Sequence, residues 1–162
     1  MTRSPSVSAL LAVLAAGLAS APTRAEAGIT RADRALIRRV NDVRGDHGLS
    51  PLRASSALNR AADSHSRDML RHDFFDHTSS DGTPFDSRIR RYADARMVGE
   101  NLAAIGRRHG GGRAVMRMWM QSPVHRAVLL SPDYRRIGIG RRWGTLGTSH
   151  QAVVTADFAS RR

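Results

Sequence analysis

The apolar residues of this chain follow a helical spacing over most of its length and change to two extended runs near its C-terminal end. A first helix is predicted from Thr30, where Asp33 follows as in a helix start, and a second is predicted from about Ser55. A third helix is predicted from Ala114 and ends at Pro123. The final runs, RRIGIGRRW and SHQAVVTADFAS, predict two strands joined by GTLGT. Helices followed by a hairpin favour an α+β fold or α/β/α layers.

Shorter elements are predicted between and after these helices. Pro84 suits the first turn of a short helix that holds Ile89 and Tyr92. RMVGENLAAIG is predicted as a short strand or extended segment, RRHGGGR as a flexible loop, and HRAVLLSPDY as a turn or short helix. Within the third long helix, Met118 and Trp119 are predicted to lie in the core.

The N-terminal residues carry the pattern of an export signal. Arg3 supplies a positive charge, Val7 to Leu18 form an uncharged apolar run, and Ala25 to Ala27 form a small-x-small cleavage pattern. The apolar run is shorter than the roughly 20 residues that a spanning helix needs. We therefore expect residues 1–27 to be a cleaved signal peptide and residues 28–162 to form one domain without a transmembrane span. A retained anchor and a soluble tail are the alternatives.

The chain contains no cysteine. A domain exported from this sequence is therefore not cross-linked by disulfides, and zinc sites of the cysteine type and thiol nucleophiles are excluded. A domain of this size buries about two-thirds of the surface of its unfolded chain, so burial alone can stabilise it.

The charge of the chain is strongly positive and carried entirely by arginine. The formal net charge is +12, and all 26 basic residues are Arg. Such a surface favours salt-sensitive binding to anionic envelope polymers or lipid headgroups, or it is simply a solvated cationic surface. Nucleic acid is disfavoured as a partner, because the eight aromatic residues do not alternate with the basic pairs as a stacking platform would.

Four further segments point to a family: FFDHTSSDG, GEN, WMQSPVHR, and RRIGIG followed by VVTADF. In this order they resemble the CAP superfamily, which contains cysteine-rich secretory proteins, insect venom antigens and plant pathogenesis-related proteins. The resemblance is to its exported bacterial branch, for which SPVHRAVLLSPDYRRIGIG is a specific segment, and it covers nearly the whole chain after the signal. It implies an α-β-α sandwich with a small antiparallel sheet between helical layers and a broad cleft.

The same resemblance implies a set of cleft residues. In such proteins two histidines and two acids converge at the floor of the cleft. His77 of FFDHT and His125 of SPVHR match the histidines, and Glu100 of GEN matches the first acid. The position of the second acid is occupied by Ser122, so a mechanism that needs two carboxylates at these positions is in doubt.

Three roles remain open for His77, Glu100 and His125. Two histidines and one carboxylate form a ligand set for zinc or another divalent metal with an open coordination position. Alternatively, Glu100 accepts hydrogen bonds from both histidines, which raises their pKa values and holds the cleft together. Catalysis without a metal is the third role. The sequence separations of the three residues carry no metal signature of their own.

Other polar residues have ordinary interpretations. His65 interrupts the apolar stripe of the second helix and is predicted to be a hydrogen-bonded core or cleft-edge residue. His72 is predicted to be a solvated cation at a helix end, and His109 belongs to the Gly-rich loop, which lacks the Lys of a phosphate-binding loop. No GxSxG segment is present, so the serine nucleophile of that motif is not predicted.

These observations predict a secreted or envelope-located, monomeric CAP protein. The first functional hypothesis is a non-enzymatic extracellular binding protein for a small apolar or an anionic ligand. The alternative is a divalent-metal-dependent hydrolase in which His77 and His125 hold the ion and Glu100 is a ligand or general base. A weaker alternative is an electrostatic binder of anionic envelope polymers. Fold alone does not decide between them.

Overall fold

A computed structural model of the protein describes residues 28–106 and 111–161. The predicted signal peptide (residues 1–27) lies outside the described residues, and so do His109 and most of the predicted Gly-rich loop. The structure therefore concerns the segment predicted as one domain.

Five helices are found in the described ranges, and their boundaries follow local signals. The Thr30 side chain accepts a hydrogen bond from the Asp33 amide, while the Asp33 carboxylate accepts one from the Thr30 amide, so a reciprocal cap starts the first helix. Ser55 caps the second helix in the same position. The helices are α1 (Arg31–Asp46), α2 (Ser56–His72), α3 (Phe85–Arg90), α4 (Gly112–Gln121) and α5 (Pro123–Leu129).

Four strands form one sheet within the described part of the chain. They are β1 (Arg53–Ala54), β2 (Val98–Gly106), β3 (Arg136–Leu146) and β4 (Ser149–Ala159). Their order across the sheet is β1-β3-β4-β2, with antiparallel pairing except for the short parallel pairing of β1 with β3. The last strand in the sequence therefore lies between β3 and β2.

The sheet is covered by helices on both faces, because alternate side chains leave a strand on opposite sides. Apolar residues of α1, α4 and α5 pack on one face around the fully buried Trp119. Residues of α2 and α3, including Leu58, Ile89 and Met69, pack on the other face. This arrangement confirms the predicted α+β sandwich.

Two glycines of β3 allow α2 to lie directly on the sheet. A Cβ atom placed on Gly138 would overlap the backbone of Leu58 and Asn59, and one on Gly140 would overlap Ala62 and Asp63. Their missing side chains allow the short distance between α2 and β3.

Some local predictions were wrong in detail. Met118 is 44% exposed rather than buried, because it lies on the outer side of α4 next to the buried Trp119. Tyr92 follows the end of α3, and Pro84 is the residue before its first turn. The sheet is mixed, because the short pair β1–β3 is parallel while the pairs β3–β4 and β4–β2 are antiparallel.

Candidate functional site

The site is organised by two neighbouring residues of β2. Glu100 and Asn101 are consecutive, so their side chains leave the strand on opposite faces of the sheet. Both are buried, Glu100 toward the layer of α2 and α3, and Asn101 toward the layer of α4 and α5. The resemblance-based prediction had placed His77, Glu100 and His125 together at one cleft floor.

Glu100 is held by two cationic or polar donors from the α2–α3 layer. His77 Nδ1 lies 2.8 Å from Glu100 Oε1, and Arg88 Nη2 donates to Glu100 Oε2. Arg88 Nη1 also donates to the His77 carbonyl at 3.0 Å and to Ser79 Oγ at 2.9 Å. We call His77, Arg88 and Glu100 the Glu100 clasp. It ties the loop before α3, α3 itself and β2 to one buried carboxylate.

The clasp changes the acidity of His77. The hydrogen bond to the Glu100 carboxylate raises the pKa of His77 above its ordinary value, against a smaller opposing effect of burial. The His77 side chain is 49% exposed, so one side of this contact faces solvent while the Glu100 side chain is fully enclosed. The site can therefore take up a proton at His77 without exposing the carboxylate.

His125 reaches this region from the other layer. Its backbone carbonyl accepts a hydrogen bond from Asn101 Nδ2 at 3.0 Å, which fixes the start of α5 against β2. Partial burial lowers the pKa of His125, and the positive charge of His77 lowers it further. The two histidines therefore interact electrostatically, and no hydrogen bond joins His125 to Glu100 in the described residues.

The predicted ligand set does not converge into a metal-binding group. No group of three or more His, Asp or Glu side chains in residues 28–106 and 111–161 is arranged so that it could hold a metal ion. Ser122, at the position where the family pattern implies an acid, links α4 to α5 and makes no side-chain cap hydrogen bond. Zinc binding by His77, Glu100 and His125 stays a prediction.

A second carboxyl group lies beside Glu100, and sequence reasoning missed it. Asp157 of β4 is the direct cross-strand partner of Glu100, so both side chains leave the sheet on the same face. Asp157 is fully buried, and no donor among the described residues reaches either of its carboxyl oxygens. Burial raises the pKa of Asp157 well above the ordinary value, and the nearby charge of Glu100 raises it further. A protonated, neutral Asp157 therefore lies beside the Glu100 carboxylate.

His65 completes the buried polar groups of this face. It is 1% exposed, its Nε2 lies 2.8 Å from the Asp76 carbonyl, and its ring meets Phe74 edge-on. Burial lowers the pKa of His65, although the Glu100 charge opposes this effect. The prediction of a hydrogen-bonded core histidine agrees with this position. His72 is exposed at the end of α2 and pairs with Asp68.

A hollow of about 380 Å³ lies between α2, the loop before α3 and α3 itself. Its wall includes the clasp residue Arg88 and the three arginines Arg67, Arg71 and Arg91. Asp68 and Asp81 also line it, so its lining carries more positive than negative groups. The hollow is polar and open to solvent next to the clasp.

The sequence matches one protein family over most of its length. The model of the cysteine-rich secretory protein (CAP) family matches residues 37–158. The chain belongs to this family. The match includes every residue of the Glu100 clasp, together with His125 and Asp157.

Two curated bacterial relatives share part of their length with this CAP protein. The uncharacterized protein YkwD of Bacillus subtilis is 30% identical over 119 residues, which are 73% of this chain and 45% of the relative. The uncharacterized membrane protein YlbC of the same organism is 30% identical over 112 residues, 68% of this chain and 32% of the relative. The chain thus spans less than half the length of either relative.

Solved structures show the same CAP architecture. One is an extracellular protein from Bacillus anthracis that contains an SCP domain. It is 25% identical to this chain and superimposes with a TM-score of 0.69, and the match covers 80% of this chain and 40% of the Bacillus anthracis protein. An outer surface protein of Borrelia burgdorferi is 22% identical with the same TM-score of 0.69, over 80% of this chain and 92% of that one. The likeness to the second protein concerns the fold alone.

None of the helices in residues 28–106 and 111–161 is both long and apolar enough to cross a bilayer.

Proposed function

We propose that this CAP protein is an exported, monomeric, non-catalytic binding protein whose cleft is held together by the Glu100 clasp. The observation that carries the proposal is the state of the Glu100 carboxylate. One of its oxygens is engaged by His77 and the other by Arg88, and the Glu100 side chain is fully enclosed. A carboxylate with its oxygens already bonded is a poor general base and a poor metal ligand.

Export is supported by the N-terminal sequence and by the known relatives. Arg3, the uncharged run Val7 to Leu18 and the small residues around Ala27 have the order of a signal peptide. The Bacillus anthracis protein with an SCP domain, which is 25% identical to this chain, is an extracellular protein. We infer the same side of the membrane for this chain.

An anionic small ligand fits the neighbourhood of the clasp better than an apolar one. The adjacent hollow of about 380 Å³ is lined by Arg67, Arg71, Arg88 and Arg91, of which Arg71 and Arg91 make no salt bridge to a described residue. Planar guanidinium groups bind carboxylate and phosphate oxygens in pairs. Because Arg88 belongs to both the hollow and the clasp, a ligand there would contact the same side chain that holds Glu100.

The second candidate function is metal-dependent hydrolysis at His77, His125 and Glu100. The observation in its favour is the electrostatic interaction of the two histidines, since the charge of His77 lowers the pKa of His125. A divalent ion would replace the proton on His77, and it would have to draw Glu100 away from Arg88. The ion would supply Lewis-acid chemistry at the cleft.

A zinc titration separates the two functions. Calorimetry on metal-stripped protein, with His77→Ala and His125→Ala as paired variants, should give no one-to-one binding in the wild type. Tight binding that both variants lose would overturn the clasp proposal and favour the metal centre. Circular dichroism of each sample shows that the variants are folded.

A turnover screen tests the non-catalytic part directly. We expect purified protein to leave peptide, ester and glycan libraries unchanged, with and without added zinc. Turnover that disappears in His125→Ala would contradict the proposal. Activity that survives Glu100→Gln would exclude Glu100 as the general base in the alternative mechanism.

A further inference from the structure

A second arginine-rich region lies at the edge of the sheet where β1 and β3 begin. Two hollows of about 670 and 420 Å³ adjoin there and share Ser50, Arg135 and Arg161 in their walls. We call their five arginines the sheet-edge arginines: Arg53, Arg96, Arg135, Arg136 and Arg161. Asp133 is the one carboxylate residue in the same walls. This region is separate from the Glu100 clasp.

The positive charge of this region is not taken up by the salt bridges of the described residues. Those salt bridges are made by other arginines and by two histidines: Arg67, Arg88, Arg90, Arg142, His72 and His77. Arg53 and Arg136 are direct partners across the β1–β3 pairing, which places like charges opposite each other. Such a pair is destabilising unless an anion compensates it.

Two of the five guanidinium groups are fixed by backbone carbonyls. Arg136 Nη2 donates to the carbonyls of Asp94 at 2.6 Å and Ser160 at 2.7 Å. Arg135 Nη1 donates to the Tyr134 carbonyl at 2.8 Å and also to that of Pro132. These hydrogen bonds orient the groups without neutralising them, and each guanidinium keeps further N–H donors for a ligand.

The walls also limit the kind of anion. No aromatic residue lines either hollow, so the bases of a nucleic acid would find no stacking partner. Met97 is the one large apolar residue in these walls, which is too little to insert into a lipid surface. Five arginines spread over two adjoining hollows exceed what a single small anion can contact. A chain of repeated anionic groups fits these properties.

We propose that the sheet-edge arginines form a binding site for a linear polymer of repeated phosphate or sulfate groups. Successive groups of the polymer lie in the two hollows and receive paired N–H donors from the arginines. Arg135 and Arg136 supply the fixed contacts, and Arg53, Arg96 and Arg161 extend them along the polymer. The site is independent of the proposed function of the cleft.

The test uses inorganic polyphosphate and two triple variants of the full chain. In Arg53→Gln/Arg96→Gln/Arg161→Gln, three exposed arginines without a side-chain hydrogen bond to a described residue are replaced. The control, Arg34→Gln/Arg38→Gln/Arg117→Gln, removes the same charge from exposed positions of α1 and α4. We expect the first variant to raise the Kd at least about tenfold more than the control.

The salt dependence gives a second, quantitative readout. Each lost phosphate contact reduces the magnitude of the slope of log K against log salt by about 1, so the slope of the sheet-edge variant should be smaller by about two to three than that of the wild type. The slope of the control variant should stay close to that of the wild type. Equal weakening and equal slopes in both variants would show a general charge effect and overturn the proposal.

Three further ligands distinguish the source of the anion. Orthophosphate should bind far more weakly per phosphate than polyphosphate, and single-stranded DNA and anionic phospholipid vesicles should bind more weakly at equal charge. Tighter binding of DNA or of vesicles, or orthophosphate binding as tight as polyphosphate, would contradict a polymer site. His77→Ala should leave the Kd for polyphosphate unchanged, because His77 lies outside the two hollows. The polymer site can therefore be tested independently of the function proposed for the Glu100 clasp.

Discussion

Asp157 is the acidic side chain whose chemistry is most altered by its surroundings. It is fully buried directly across from Glu100, and burial together with the charge of Glu100 raises its pKa well above the ordinary value. The folded protein therefore holds a proton on this residue over a pH range in which the unfolded chain has released it.

The raised pKa of Asp157 predicts a characteristic pH dependence of stability. Between the unfolded pKa and the raised folded pKa, the folded state binds more protons, so its free energy of unfolding falls by about 1.4 kcal/mol per pH unit as the pH rises. Asp157→Asn cannot lose a proton and should remove this decline. Urea unfolding of both proteins at a series of pH values measures the difference, and parallel curves would contradict the prediction.

A matched variant separates the proton from the shape of the side chain. Asn keeps an N–H donor beside Glu100, whereas Asp157→Leu has the same branched shape, larger methyl groups and no donor. The Leu variant leaves the buried Glu100 without a neighbouring donor from β4, and we expect it to be less stable than the Asn variant by about 1–3 kcal/mol. Equal stabilities would mean that Asp157 does not donate to Glu100.

His77 reports the charge of Glu100. The hydrogen bond to Glu100 raises the pKa of His77, so Glu100→Gln should lower it. The stabilising contribution of protonated His77 is complete below its unfolded pKa and is lost as the pH rises through the folded pKa. An NMR titration of the His77 ring measures the shift. Asp68→Asn is the control, because it removes a carboxylate that does not contact His77. It should leave the pKa of His77 unchanged.

The packing of α2 on β3 depends on the absence of two side chains. A Cβ atom on Gly140 would overlap the backbone of Ala62 and Asp63, and backbone cannot move aside as a flexible side chain can. We therefore expect Gly140→Ala to lower the free energy of unfolding by about 3 kcal/mol or more. Gly45→Ala is the control, because Gly45 lies in α1 with nothing within 4 Å of its Cβ position and should stabilise by up to about 1 kcal/mol. Chemical denaturation measures both, and a neutral Gly140→Ala would show that α2 does not lie against β3.

Elements with local signals were predictable from the sequence. The start of α1 was predicted from Thr30 and Asp33, and these residues form the reciprocal cap in the structure. The two final strands were predicted from their apolar runs, and they pair as an antiparallel hairpin. In each case the residues that determine the element are neighbours in the chain, so the pattern contains the physical cause.

Contacts between distant segments were not predictable in the same way. Asp157 becomes a partner of Glu100 only through the register of β2 and β4, and nothing in VVTADF reveals that register. Arg88 was not singled out among 26 arginines, because its role depends on the position of α3 over β2. A candidate signal was the scarcity of glutamate, which drew attention to Glu100 but not to its partners.

The net charge of the whole molecule predicts a response to salt. A formal charge of +12 produces repulsion between exposed arginines, and this repulsion opposes the compact state. Raising the ionic strength from about 0.01 to 0.15 M shortens the Debye length from about 30 to 8 Å and so weakens the repulsion between arginines. Each kcal/mol of repulsion removed in this way should raise the melting temperature by about 2–4 °C. Calorimetry at several salt concentrations measures this, and Arg34→Glu/Arg38→Glu should show a smaller rise. A melting temperature that falls with salt would mean that attractive ion pairs dominate.

The order β1-β3-β4-β2 has a consequence for how the chain is made. Among the described strands β4 is the last in chain order, yet both β2 and β3 need it as a neighbour. Until Ser149–Ala159 has been synthesised, β2 and β3 lack their long antiparallel partner and α2 has no complete sheet face to cover. The sheet therefore closes in one step, after the other three strands have been made.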